Sequence, residues 1–396
     1  FAMPDTPSLI RRTPWPASAS RPVVTPLQPS VVYASPDPDT LDAQYMGTNP
    51  GYTYAREGHP NAEVLGAKID MLEGAPTPGI VTGSGMAAVT AALLGVLKAG
   101  DHVLGGDQLY GRSLRLMGQD LNRFGILTSL ADPTDAAAFA AAIRPETRMI
   151  LLEVVSNPTL RVADIDGIAA LARARGILLA IDNTFTTPRG YRPFDHGADI
   201  VIHSVTKILA GHSDATLGYV AARDAGLRKA IYDFAVTTGM TPSPFDCWLA
   251  ERGLYSFELR YDRAEANAAA LADHLATLPG VKTVLYPTRA DHPDHNRAVA
   301  LLGERGGHMV SFIVEGGRAQ ANALTRGAPD LAFAPTLGDI GTTLSHPASS
   351  SHRALTPEAR AALGITEGFF RVSVGIENIA LLKSEFSKAV AASQKA

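Results

Sequence analysis

Along most of the chain the apolar positions alternate between two patterns. Short continuous apolar runs lie at 80–82, 102–104, 149–153, 178–182 and 199–203, and alanine-rich stretches of helical character lie between several of them, as at 135–143 and 165–175. A run such as Met149-Ile150-Leu151-Leu152 has no polar face, as expected of a strand covered on both sides. Such runs alternating with helices predict parallel strands joined by crossover helices. From about 243 to 275 the character changes to long helix, opened by Pro244 and continued by strong helix formers over 264–275. Strand candidates follow at 281–286, 308–314 and 370–374, then a last helix from about 378. The pattern predicts an α/β chain: a large, mostly parallel sheet domain with helices on both faces, plus a smaller C-terminal α+β domain. Residues 1–50 are rich in Pro, Ser and Thr and read as an extended arm. That composition fits both an arm reaching over a subunit interface and a loosely ordered terminus. The expected division is an arm at 1–55, a first domain at 56–248 and a second at 249–396.

Composition narrows the classes. Of 396 residues, 46% are hydrophobic and 19% charged, which excludes a disordered chain. The net charge of −4 and the absence of a basic run argue against a nucleic-acid partner. No apolar run approaches a membrane span, so no membrane partner is expected. Arg11 and Arg12 precede no apolar stretch, and no secretory leader is expected. Cys247 is the sole cysteine, which fits a reducing compartment, and a cytoplasmic location is expected.

Candidate chemistry begins at residues 80–88, where a short strand runs into Gly83-Ser84-Gly85-Met86 and a helix follows. Backbone amides at such a helix start cradle an anion. The same residues match a dinucleotide fingerprint at Gly83, Gly85 and Ala88, with Asp107 downstream. That reading is disfavoured because its strand is short and follows Pro76 and Pro78, and because it gives the polar residues of 182–207 no task. A purely structural turn is the third possibility.

The apolar run 178–181 ends in Asp182-Asn183-Thr184. An acid at a strand's C-terminal end points into the crevice where α/β proteins bind ligands, and it can pair with a protonated pyridine nitrogen; a helix cap or surface acid is the alternative. The next run ends in Ser204-Val205-Thr206-Lys207. Hydroxyls at 204 and 206 can face one phosphate. An amine directly after them suits a nucleophile whose proton is loosened by burial and a neighbouring cation. His292 and His295 stand near Asp291 and Asp294, but Pro293 interrupts their spacing, so a solvated loop is expected and no metal. His346 and His352 read as second-domain surface or substrate entrance. No G-x-S-x-G hydrolase elbow is present.

Taken together these segments resemble the Cys/Met-metabolism pyridoxal-phosphate enzymes. The resemblance runs through Tyr52-Thr53-Tyr54-Ala55-Arg56, Ser84-Gly85-Met86, Ser156-Asn157-Pro158, Asp182-Asn183-Thr184-Phe185, Ser204 to Asp214, Ser243-Pro244-Phe245-Asp246, His346-Pro347-Ala348-Ser349 and Arg371 to Glu377, and covers roughly residues 24–390. It implies the type I fold of pyridoxal-phosphate-dependent transferases and pyridoxal 5′-phosphate as cofactor. It implies that Lys207 carries the cofactor as a Schiff base and that Asp182 binds the pyridine nitrogen. Ser84, Gly85, Met86, Ser204 and Thr206 would hold the phosphate, with Thr184 also at the cofactor. Tyr110 would stack on the ring, and Asn157 would bond its hydroxyl. Tyr54 and Arg56 would reach the neighbouring subunit's phosphate, so that a homotetramer of active-site-sharing dimers is expected. Tyr110 and Tyr54 are the implied acid–base tyrosines, and Arg371 the receiver of a small amino acid's carboxylate.

Departures cluster on the side of the substrate. Thr336 stands where Ser or Asn is typical, Gly341 where the γ-synthase and γ-lyase branches usually carry Glu, Arg112 where Gly or Cys is usual, and His59-Pro60-Asn61 where Asn-Pro-Thr is common. Arg115 matches an arginine of the cystathionine-handling branches. The expected activity is a carbon–sulfur lyase on cystathionine or a similar thioether amino acid. γ-Replacement is the rival, an oxidoreductase built on the glycine turn a second, and a non-catalytic binding protein a third.

Overall fold

A computed structural model describes residues 16–353 and 355–396. Arg11, Arg12 and the first part of the expected arm lie outside those residues. The larger sheet has seven strands: β1 (Ile80–Thr82), β2 (His102–Gly106), β3 (Leu127–Ala131), β4 (Thr147–Glu153), β5 (Leu178–Asp182), β6 (Ile200–Ser204) and β7 (Gly218–Ala222). Their spatial order is β1-β7-β6-β5-β4-β2-β3. β3, β2, β4, β5 and β6 pair in parallel, and β7 runs antiparallel to both β6 and β1. The continuous apolar runs have a direct cause. In β4 and β5, Ile150, Leu152, Leu179 and Ile181 enter the core on one face, while Met149, Leu151 and Ala180 enter the core on the other.

The second sheet contains β8 (Val281–Leu285), β9 (Met309–Val314), β10 (Ala332–Phe333), β11 (Thr343–Ser345) and β12 (Phe369–Ser373), in the order β10-β11-β12-β9-β8. Its core contains Phe312, which stacks on Phe370 and meets Phe386 edge-on. The helix Phe257–Ala276 joins the two layers. Phe257 and Tyr261 near its start belong to the large core, and Ala268, Leu271, Ala272 and Leu275 to the small one. One rigid rod thus sets the position of the second sheet against the first.

The unusual His59-Pro60-Asn61 has a structural use. His59 Nδ1 accepts from the Ala62 amide and caps the helix Pro60–Glu73. Asn61 accepts from the Gln28 amide and donates to the Pro26 carbonyl, which ties the arm to that helix. The expected solvated loop at 291–295 is found only in part: Asp291 and Pro293 are exposed in a turn, but His292 and Asp294 are buried. Asp294 accepts from Arg161 Nε at 2.6 Å, from a second Arg161 nitrogen at 3.0 Å and from the Val162 amide at 3.0 Å. Asp294 is buried in a polar, proline-broken stretch because the loop that follows β4 supplies its donors.

Burial opposes the Asp294 charge, but Arg161 and the Val162 amide outweigh it and hold the carboxyl below the usual aspartate range. A carboxyl with a depressed folded pKa stabilises above its unfolded pKa, and that contribution disappears as pH falls through the folded value. Asp294→Asn should therefore cost about 2–3 kcal/mol near neutral pH. Urea unfolding at several pH values should show the difference from the parent shrinking below about pH 4.

Candidate active site

The C-terminal ends of the parallel strands share one edge of the sheet, and most of the expected site residues emerge there. Ser84 follows β1, Tyr110 follows β2, Asn157 follows β4, Asp182 ends β5, and Ser204 ends β6 with Lys207 in the turn after it. Ser84 Oγ accepts from the Ala87 amide and caps the helix Gly85–Leu94. The first amides of that helix have no partner within it and open onto the same edge. Position 85 must be glycine: a Cβ there would lie 2.6 Å from Ser204 Cβ and 2.8 Å from Ser204 Oγ. The helix start and the end of β6 thus form one close-set cradle of amides and a hydroxyl.

Asp182 is partly buried and is held on one side by Thr184, whose amide donates at 3.0 Å and whose hydroxyl donates at 2.5 Å. Thr184 Oγ1 in turn accepts from the Ser204 amide at 2.8 Å. The acid of β5 is therefore locked to the strand that carries Lys207. Burial raises the Asp182 pKa, while the Thr184 bonds and the field of His203 oppose the rise. His203 lies on the opposite face, buried with Glu73, and the Glu73 carboxylate also accepts from Asn183. Beside Asp182 stands Glu153, its ladder partner on β4, which accepts from the Tyr110 amide at 2.6 Å.

The amine of Lys207 is pushed below the ordinary lysine range, first by burial and then by the Arg371 charge. Its turn is clamped from behind by the buried Arg260, which donates to the carbonyls of Ile208, Leu209 and Gly253. The loop at 336–341 closes over it from the second domain. Gly338 (φ +77°) packs so tightly that a Cβ would sit 2.3 Å from the Ile208 nitrogen. The Ile340 amide bonds Gly211, and Ser213 bonds Asp339 at 2.6 Å. Arg371 on β12 is buried, donates to Asn157 Oδ1 at 2.7 Å and to the Thr336 carbonyl at 2.8 Å, and leaves Nε without a partner. Lacking an acidic neighbour in those contacts, its pKa falls to about 10 through burial.

This donor set fits a phosphorylated pyridine aldehyde. The amine, the partly buried acid and the glycine-made cradle gather in the cleft at the sheet edge, and the buried Arg371 keeps one guanidinium nitrogen unpartnered. Thr206 is spoken for in this arrangement: its hydroxyl exchanges hydrogen bonds with the Leu217 backbone. Thr336 meets Arg371 through its carbonyl, not its side chain. Met86 lies in the first turn of the cradle helix, its sulfur 4.0 Å from the Ser113 hydroxyl.

Other expected residues stand apart from this cluster. Tyr54 is 39% exposed, with the Arg56 guanidinium 5.1 Å above its ring. Arg115 faces solvent, 3.9 Å from Asp120. Tyr110 is 41% exposed and flanks the cleft. Of the two positions expected for His346 and His352, second-domain surface or substrate entrance, the surface is not found. His346 is buried and bonds Ser349 and the Glu367 carbonyl. His352 is buried, and burial and the Arg371 charge bring its pKa to about 4. Glu153 and Arg260 were not among the expected site residues. Glu153 had a usable signal: like Asp182, it ends a continuous apolar run.

A family described as Cys/Met metabolism PLP-dependent enzyme matches residues 8–391. The chain is 40% identical over 339 residues to a cystathionine β-lyase of Bacillus subtilis, covering 86% of each. The structure is similar to that of a cystathionine γ-synthase from Xanthomonas oryzae pv. oryzae in complex with aminoacrylate and cysteine, with TM-score 0.88, 35% identity and 94% of each chain covered. It is also similar to a putative O-acetylhomoserine (thiol)-lyase from Campylobacter jejuni that contains a pyridoxyl-lysine monophosphate, with TM-score 0.89, 27% identity, 95% of this chain and 97% of that one.

The docking of the 336–341 loop is testable by two substitutions. Gly338→Ala combines a left-handed backbone with the 2.3 Å contact and should cost about 2–4 kcal/mol. Gly341→Ala would meet nothing nearer than Asp339 Oδ1 at 3.3 Å and should stay within about 1 kcal/mol of the parent. Thermal unfolding of both variants measures the difference.

Proposed function

Because the chain belongs to the Cys/Met-metabolism PLP-dependent enzymes, we propose that it is a carbon–sulfur lyase acting on cystathionine or a similar thioether amino acid. Its cofactor is pyridoxal 5′-phosphate and its fold is the type I fold of that enzyme class. The observation that carries the substrate half is the buried Arg371 guanidinium, capped by the neutral oxygens of Asn157 and Thr336 and left with an unpartnered Nε next to a lysine of lowered pKa. Such a cation is built to take a carboxylate.

In this reading Lys207 Nζ is the attachment point, and Asp182, oriented by Thr184, holds the proton on the ring nitrogen. The amides of Gly85 and Met86, with Ser84 and Ser204, would take the phosphate, while Thr206, its hydroxyl committed to the Leu217 backbone, braces the turn beside it. Tyr110 covers one ring face and Asn157 meets the ring hydroxyl. When bound, the cofactor supplies an electron sink for the pair left on the substrate Cα. Arg371 fixes the substrate carboxylate, which sets the Cα–H bond toward Lys207. Lys207 Nζ, once free, would be the base for the Cα proton; its lowered pKa leaves it neutral at lower pH than an exposed lysine. Loss of a thiolate from Cβ, followed by hydrolysis, leaves a keto acid, ammonia and a free thiol. Tyr110 or Tyr54 serves as the additional acid.

The arm of residues 1–55 acts with the neighbouring subunit, and 56–248 and 249–396 act as the cofactor and C-terminal domains. The described arm exposes Val23, Val24, Val31, Val32, Tyr45 and Met46 along with Tyr54 and Arg56, which supports a homotetramer whose dimers share active sites. A cytoplasmic location is supported by the lone, buried Cys247. Among the described residues no helix is long and apolar enough to cross a membrane. A second reading, γ-replacement on an acylated homoserine, is favoured by the 35% identity to a cystathionine γ-synthase, while Gly341, where the γ-synthase and γ-lyase branches usually carry Glu, speaks for the first. Arg112 and Arg115 are then the cations available to the substrate's far end.

Product analysis decides between them. With cystathionine as sole substrate, the lyase reading expects keto acid, ammonia and thiol in equal amounts. Turnover only when an acylated homoserine is supplied with cysteine or sulfide would overturn it in favour of γ-replacement. Arg371→Lys should lower kcat/KM by about 10²-fold, mostly through KM, because a point charge replaces a two-pronged donor.

A further inference from the structure

Two carboxyl groups, not one, end neighbouring strands beneath the cleft. Ile150 and Leu179, Leu151 and Ala180, and Leu152 and Ile181 are successive ladder partners of β4 and β5, and each pair enters the same core. The next pair is Glu153 and Asp182. By that alternation both carboxyl groups emerge on the face that carries the helix Gly85–Leu94. Side by side in a poorly solvated place, they cannot both hold a negative charge at low cost.

Their partners decide where the proton sits. Asp182 accepts two hydrogen bonds from Thr184, and both favour its ionised form. Glu153 Oε1 accepts one, from the Tyr110 amide, and Oε2 is sealed from solvent with no partner. A charged oxygen in that position would be costly, whereas an O–H is a donor awaiting an acceptor. His203 acts on Asp182 from the opposite face of β6 and favours its negative charge. Burial, with the Asp182 charge second, drives the Glu153 pKa well above the usual range.

We propose that Glu153 is a positioning residue that works as a neutral carboxylic acid, fixing the backbone of Tyr110 and leaving the negative charge to Asp182. The inference rests on the reading above that Asp182 and Tyr110 flank the cofactor. An ionised Glu153 would double the charge under the ring and split the pairing between Asp182 and the pyridine nitrogen. A neutral one keeps a single carboxylate opposite a single cation, and it holds Tyr110 at the mouth of the cleft without adding charge.

The test compares Glu153→Gln, which keeps shape and neutrality, with Glu153→Ala, which removes the acceptor for Tyr110. In cofactor-free protein at neutral pH, infrared difference spectra of parent minus Glu153→Gln should contain the carbonyl stretch of a neutral carboxylic acid. In the holoenzyme, Glu153→Ala should bind pyridoxal phosphate about tenfold more weakly. Glu153→Gln should restore affinity to within about threefold of the parent and keep the pH midpoint of the visible band. An ionised carboxylate signal in its place, or a Gln variant that loses the cofactor as readily as the Ala variant, would overturn the proposal. The infrared comparison needs no bound cofactor and no folded Ala variant, so its outcome stands apart from failure of the Lys207 and Asp182 assignment.

Discussion

The structure depends most on holding a carboxylate at the end of a buried strand. Asp182 closes an apolar run whose other side chains all enter one of the two cores, so it leaves water with few means of compensation. Thr184 supplies them, donating twice to Asp182 while accepting from the Ser204 amide. That small network joins the acid of β5 to the strand that ends just before Lys207. The amine and the acid therefore cannot drift apart without breaking backbone-anchored bonds.

The second domain completes the arrangement from above. Arg260, near the start of the joining helix, spends its guanidinium on three carbonyls around the Lys207 turn. The 336–341 loop presses Gly338 onto the backbone at Ile208 and offers the Thr336 carbonyl to Arg371. Arg371 also reaches Asn157 of the first domain. The substrate-facing cation is thus positioned by both halves of the chain, and its charge is one reason why Lys207 and His352 lose protons easily. Placement and electrostatics have the same origin.

The cofactor side of the site was legible along the chain because its residues sit at strand ends, where the apolar runs stop. The two-faced burial that makes β4, β5 and β6 continuously apolar also marks where Asp182 and Lys207 emerge. β3 and β7 were not foreseen: β3 is an edge strand that leaves Leu127 and Leu130 exposed, and β7 is built largely of Gly and Ala, weak strand formers. The stretch at 291–295 reads as a loop because its composition is polar. The burial of Asp294 within it depends on Arg161, 133 residues away in sequence. Glu153 ends its apolar run as Asp182 does, but only the ladder register shows that the two acids stand side by side. The burial of His346 and His352 is as hard to read from sequence as that of His292, because what surrounds a buried imidazole lies on distant segments.

The central claim is that the Lys207 amine carries the cofactor. Protein purified with pyridoxal phosphate, reduced with borohydride, digested and analysed by mass spectrometry tests it directly. The account predicts a phosphopyridoxyl group on the peptide containing Ser204-Val205-Thr206-Lys207 and unmodified lysine elsewhere. A label on a different lysine, or none after reduction of a visibly coloured protein, would contradict it.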